Sequence, residues 1–139
     1  MILHRKLAAD EAMVVEFADP GTFWMITTLG IFGNSLDYLY RNVSYTPSRT
    51  KVDPDGKIRL VMCRDDPGYW NWIDNQGYIE GWLVFRNILQ SELPDVATKV
   101  VKTADVPRHL HPGSHKITAE ERTGQLLERF HAMQRWYRL

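Results

Sequence analysis

The sequence has a single cysteine, Cys63, in 139 residues. That excludes an intrachain disulfide framework and any metal centre built on several thiolates. Cys63 closes the apolar run Ile58-Arg-Leu-Val-Met-Cys63 and reads as a buried small hydrophobe rather than a reactive thiol. An excess of charge is also missing, because 17 Lys and Arg balance 17 Asp and Glu. A chain that grips nucleic-acid backbone carries a basic excess, so that class is set aside. Net charge of zero gives little colloidal repulsion and leaves self-association open. No run approaches the roughly 18 apolar residues of a membrane span. The N-terminal MILHRKLAADEA lacks the apolar centre of a secretory leader. The expectation is a soluble cytoplasmic protein, in which Asn42-Val-Ser44 is a chance sequon. There is no Gly-x-Ser-x-Gly elbow, glycine-rich phosphate loop or dinucleotide fingerprint, so no cofactor is expected.

What the sequence does have is aromatic residues, 12% of the chain, each able to bury a large area. The length suits one domain, taken as 1–139: a β-sandwich over about 11–103, a loop over 104–117 and a helix over 118–137. AMVVEF (12–17) reads as a strand ended by Asp19-Pro20-Gly21. TFWMITTLGIF (22–32) is rich in β-branched and aromatic residues and reads as the next strand. SLDYLYRNVSY (35–45) resumes β character, with a bulge expected near Arg41-Asn42 because its aliphatic and aromatic residues change phase there. Asp53-Pro54-Asp55-Gly56 is a turn, and KIRLVMCR (57–64) the mostly buried strand after it. Trp82–Arg86 is a further strand, and ATKVVKT (97–103) an edge strand guarded by lysines. Thr118-Ala-Glu-Glu121 fits a capping box at the start of a helix. Leu126, Phe130, Met133 and Tyr137 recur on one face of that helix and are expected to pack on the core. Glu120 and Glu121 at its start and Arg135 and Arg138 at its end suit the helix dipole. Strands with turn signals and one terminal helix make a mainly β protein: an antiparallel, jelly-roll-like β-sandwich with a C-terminal α-helix.

Five motifs occur in one order: Phe23-Trp24-Met-Ile-Thr27, Ser35-Leu36-Asp37-Tyr38, Asp53-Pro-Asp55-Gly56-Lys-Ile-Arg-Leu60, Asp66-Pro67-Gly68-Tyr-Trp-Asn71-Trp72-Ile73-Asp74 and Gly81-Trp-Leu-Val-Phe-Arg86. In this order they resemble the family of domains of unknown function called DUF1214, over about residues 11–90. The resemblance implies a jelly-roll-like sandwich of the kind found at the C-terminal end of longer, two-domain proteins. It implies no activity, because the family has none agreed. Asp74 stands where family members commonly have proline, and the usual upstream domain is absent from this chain.

The densest stretch, DDPGYWNWIDNQGYIEGWLVFRN (65–87), holds the candidate site residues. Asn71 and Asp74 either bond local backbone, as Asx side chains do in loops, or line the mouth of a pocket. Arg86, if it points inward, needs a carboxylate from Asp66, Asp74 or Asp37, or else anchors a substrate carboxylate. Trp70, Trp72, Tyr78 and Trp82 are candidates for a binding surface, Trp70 and Trp72 as interface anchors, while Trp24 on a strand belongs to the core. His109-x-His111-x3-His115 is similar to part of a cupin metal-ligand spacing, but it sits in a loop beside Pro107, Pro112 and Gly113, so exposed histidines are the expectation and no metal is. The leading reading is a binding or interaction module that forms a homo-oligomer or docks on a partner protein, its working face built by 65–87. The alternatives are an enzyme that takes a small apolar or aromatic acid, with Asp74 or Asp66 as acid/base and Arg86 as anchor, and a metal-dependent cupin-like enzyme.

Overall fold

The computed structural model describes residues 1–88, 92 and 94–137; Arg138, placed in the last helical turn from the sequence, lies outside the described residues. Its strands are β1 (Ile2–Lys6), β2 (Glu11–Ala18), β3 (Trp24–Leu29), β4 (Ser44–Tyr45), β5 (Lys57–Cys63), β6 (Trp72–Asp74), β7 (Glu80–Asn87) and β8 (Ala97–Lys102). They form two four-stranded sheets, ordered β1-β7-β3-β4 and β6-β5-β2-β8. The chain passes repeatedly from one sheet to the other, as a jelly-roll-like sandwich requires. Among the described strands only β6 runs parallel to its neighbour, β5.

Side-chain alternation explains the layers. Met13, Val15 and Phe17 of β2 and Ile58, Leu60 and Met62 of β5 point between the sheets. There they meet Trp24 and Ile26 of β3 and Leu83 and Phe85 of β7. Phe17, Trp24 and Phe85 pack as an aromatic knot with ring centroids 5.0–6.0 Å apart. The opposite faces of β2 and β5 carry Ala12, Val14, Val61 and Cys63, and these are buried too. Residues 103–110, mostly a run of 3-10 turns, lay Val106 and Leu110 over them together with Trp72 and Tyr69. This second cover is why β2 and β5 read as near-continuous apolar runs. Burial pushes the Cys63 thiol up to about 12, which makes it the inert small hydrophobe expected.

Three expectations are corrected. Residues 36–43 form turns instead of a strand, because the Asp37 carboxylate accepts from the amides of Leu39 (3.1 Å) and Tyr40 (3.2 Å) and curls the backbone. β1 and β6 were not foreseen: β1 has few apolar residues, and β6 lies within the aromatic stretch. The helix α1 (Ala119–Trp136) starts at the Thr118–Glu121 capping box as expected. However, the residues that α1 buries are Arg122, Gln125 and Arg129. Leu126, Phe130 and Met133 are only half-buried, and Tyr137 is exposed.

Candidate functional site

The first half of the 65–87 stretch, through Gln76, is fastened by many side-chain hydrogen bonds. Asp66 accepts from the amide of Gly68, whose φ of 76° suits glycine in the tight turn. Asn71 is buried, accepts from Lys51 N (2.9 Å) and donates to the carbonyls of Lys51 (2.7 Å) and Arg59 (2.9 Å). Trp70 and Trp72 are not free anchors, since their indole N–H groups donate to the carbonyls of Arg49 (2.9 Å) and Cys63 (3.1 Å). Asp74 is buried, accepts from Gln76 N (2.7 Å) and pairs with Arg41 (2.9 Å). Burial holds its carboxyl above the usual range, against the Gln76 amide and the Arg41 guanidinium.

Helix α1 completes the fastening from above. Arg122 donates to both carboxylate oxygens of Asp66 (2.8 and 3.0 Å) and to the Tyr69 and Trp70 carbonyls, with its guanidinium 5.1 Å from the centre of the Trp72 ring. Gln125 accepts from Asn42 Nδ2 (2.7 Å) and donates to Trp70 O (3.2 Å). Arg129 donates to Tyr38 O (2.8 Å) and Ser44 Oγ (3.2 Å). The loop carbonyls that no strand satisfies are met by this polar helix face. Sequence reasoning missed these three residues because hydrophobic periodicity cannot mark a polar buried face. Their i, i+3, i+7 spacing was the available trace.

Asn71, Asp74 and Arg86 do not converge. Asn71 and the Asp53–Arg59 pair border a space of about 10 Å³, room for no more than one water. Arg86 points outward from the other sheet, exposed beside Met25, and makes no ion pair among the described residues. The inward Arg86 paired with Asp66, Asp74 or Asp37 is therefore corrected: Asp66 pairs with Arg122 and Asp74 with Arg41. The histidines also stay apart. His109 lies by Lys99 (3.4 Å), His111 Nδ1 accepts from Gly113 N (2.9 Å) and His115 meets the edge of Trp70. Among the described residues no group of three His, Cys, Asp or Glu is placed to share an ion.

The sandwich leaves one sheet face of unusual composition. The outward positions of β7 are Glu80, Trp82, Val84 and Arg86. In register across the sheet lie the rows Ile2–Val84–Thr27 and His4–Trp82–Leu29, with Met25 beside Arg86. His4 meets Trp82 edge-on at 5.2 Å, and the Trp82 indole donates to Ile31 O (2.9 Å). Ile2 is 72% exposed, and Phe32, at the tip of the adjoining turn, 93%. An antiparallel sheet with one face in water normally carries polar residues there. This face carries Ile2, which is exposed, Met25, Leu29 and Trp82, which are half-buried, and Val84, which its neighbours bury. Of the aromatic stretch, its β7 end reaches this face, while Tyr78, exposed just before β7, keeps its side chain in solvent.

Comparison with solved structures finds the same fold in longer chains. An uncharacterised protein from Burkholderia cenocepacia superposes with a TM-score of 0.71 at 28% identity, over 74% of this chain and 29% of that one. The VPA0106 protein from Vibrio parahaemolyticus superposes with a TM-score of 0.53 at 18% identity, over 73% of this chain and 30% of that one. The chain thus spans less than a third of either relative. No family model matches the sequence, and no curated protein does. No described helix is long and apolar enough to cross a membrane.

Proposed function

We propose that this chain is a self-association module: its partner is a second copy, met through the outer face of the β1-β7-β3-β4 sheet. The observation that carries the reading is the outward row of β7, Glu80–Trp82–Val84–Arg86. It is acidic at one end, basic at the other and apolar between. Two copies packed face to face about a two-fold axis perpendicular to their β7 strands would run those strands antiparallel. Glu80 of each, which lies 3.4 Å from Lys6 within its own copy, would meet Arg86 of the other, with Trp82 between them. An isologous contact needs such a self-complementary row, and sheets pack face to face with strands roughly aligned. The zero net charge opposes nothing in this encounter. Trp and Arg, the residue types that most often anchor interfaces, are both present. On the other sheet, among the described residues, the apolar outer positions of β2 and β5 are covered by residues 103–110. The order of the five motifs supports grouping the chain with DUF1214-like domains, whose longer members would cover such a face with their own second domain.

The reading is tested by the molar mass in solution, measured by light scattering from micromolar to millimolar protein. The expected result is a dimer that Trp82→Arg converts to a folded monomer. A wild-type chain that stays monomeric throughout that range rejects the proposal, as does a dimer that Trp82→Arg leaves intact.

A further inference from the structure

We propose that Arg49 and Arg129 form a binding site for a small oxyanion, a phosphate or carboxylate group, where α1 crosses the loop leading into β4. The two guanidiniums share one serine: Arg49 donates to the Ser44 carbonyl and Arg129 to the Ser44 hydroxyl, both at 3.2 Å. Arg49 also donates to Asn42 Oδ1 (3.1 Å) and lies 5.4 Å from the centre of the Tyr45 ring. Arg129 is 4% exposed. Several other arginines have carboxylates: Arg59 has Glu16, Asp53 and Asp55, Arg122 has Asp66, and Arg41 has Asp74. Among the described residues Arg49 and Arg129 have none. Glu128 acts on Arg49 and Asp37 on Arg129 only through space.

Two like charges held close, one of them buried and neither in contact with a carboxylate, are costly to the fold. Burial, reinforced by the charge of Arg49, pushes the pKa of Arg129 down to about 10. An oxyanion would relieve that cost, and planar guanidinium forks match its geometry. The donors remain available: neither Arg49 Nε nor Arg129 Nη2 holds a hydrogen bond, and neither is sealed from solvent. Arg5, which also lacks a carboxylate, differs on this point, because its unbonded Nη2 is fully enclosed. The site is independent of the β7 face.

The test titrates inorganic phosphate and, separately, acetate at constant ionic strength, following the side-chain Nε–H resonances of Arg49 and Arg129. The expected result is saturable movement of both resonances. Phosphate alone acting assigns a phosphoryl ligand; acetate acting assigns a carboxylate. Arg49→Gln, at a half-buried position, should weaken binding about tenfold or more, the loss of one charge-assisted contact. Glu128→Gln removes a carboxylate that competes for Arg49 through space and should tighten binding about threefold, as an exposed charge would. No saturable movement with either anion overturns the proposal, and so does unchanged affinity in Glu128→Gln or in a folded Arg49→Gln.

Discussion

Arg122 and Asp66 meet through two hydrogen bonds, 2.8 and 3.0 Å, across 56 residues of sequence, and this contact ties α1 to the turn that opens the aromatic stretch. Arg122 simultaneously serves the Tyr69 and Trp70 carbonyls, so one guanidinium satisfies a carboxylate and two loop acceptors. Replacing it with Leu strands the Tyr69 carbonyl and leaves Asp66 without its counter-charge, while the Trp70 carbonyl keeps the Tyr45 hydroxyl and Gln125. The expected cost is about 3 kcal/mol in urea unfolding. Asp66→Asn keeps one acceptor at a half-exposed position and should cost about 1 kcal/mol. Equal effects would show that the pair, not the loop carbonyls, dominates.

Gly81 of β7 lies tight against β3 and against the Arg5 side chain of β1. A Cβ there would lie 2.3 Å from the Leu29 carbonyl and 2.7 Å from Arg5 Nη2. The carbonyl is backbone in a paired strand and cannot move aside cheaply. Gly81→Ala should cost about 3 kcal/mol by overpacking. Gly21→Ala, with no atom near but a φ of 67°, should cost about 1 kcal/mol by the same unfolding measurement.

The two-layer β architecture was legible where apolar runs stand between turn signals, as in β2, β5 and β7, and the helix start was legible from Thr118 and Glu121. β1 was not, because ILHRK hides its inward Arg5 behind Thr28 and the Tyr78 carbonyl instead of showing an apolar row. The helix face was misread because Leu126, Phe130 and Met133 mark an apolar stripe, while the loop beneath α1 presents carbonyls that only polar side chains can satisfy. The candidate residues of the aromatic stretch were named from the sequence, but their directions depend on which sheet each strand joins. Asp74 entered one sheet and Arg86 the outer face of the other.

Asp74 supports the fold weakly as an anion. Its folded carboxyl titrates above the ordinary range, so its contribution is present at low pH and is lost as pH rises through that folded value. Asp74→Asn keeps an acceptor for the Gln76 amide and removes the buried charge. The variant should match or exceed wild-type stability near pH 8, within about 1 kcal/mol, with the difference vanishing in acid. Thermal unfolding across that range reads it, and a variant that unfolds at pH 8 contradicts it.

Asp55 has the opposite sign. Its hydrogen bonds to Arg59 hold it at about 2, below the ordinary 3.8. Glu16 is also held low, first by Lys57. Both favour the fold when ionised. Their contribution is complete above about pH 5 and is lost as pH falls toward about 2. Arg59→Met should flatten the acid side of the stability profile, measured by urea unfolding between pH 7 and 3. An unchanged acid slope would remove this network from the account.

The most direct test of the self-association claim mixes two variants. Glu80→Arg alone sets guanidinium against guanidinium at both ends of the paired β7 strands. Arg86→Glu alone sets carboxylate against carboxylate at the same two places. Each variant by itself should therefore run as a monomer. Mixed in equal amounts, each supplies the charge the other lacks at both ends of β7. Light scattering of the mixture is expected to give the mass of a dimer. A mixture that stays at the monomer mass, or single variants that remain dimeric, would contradict the claim.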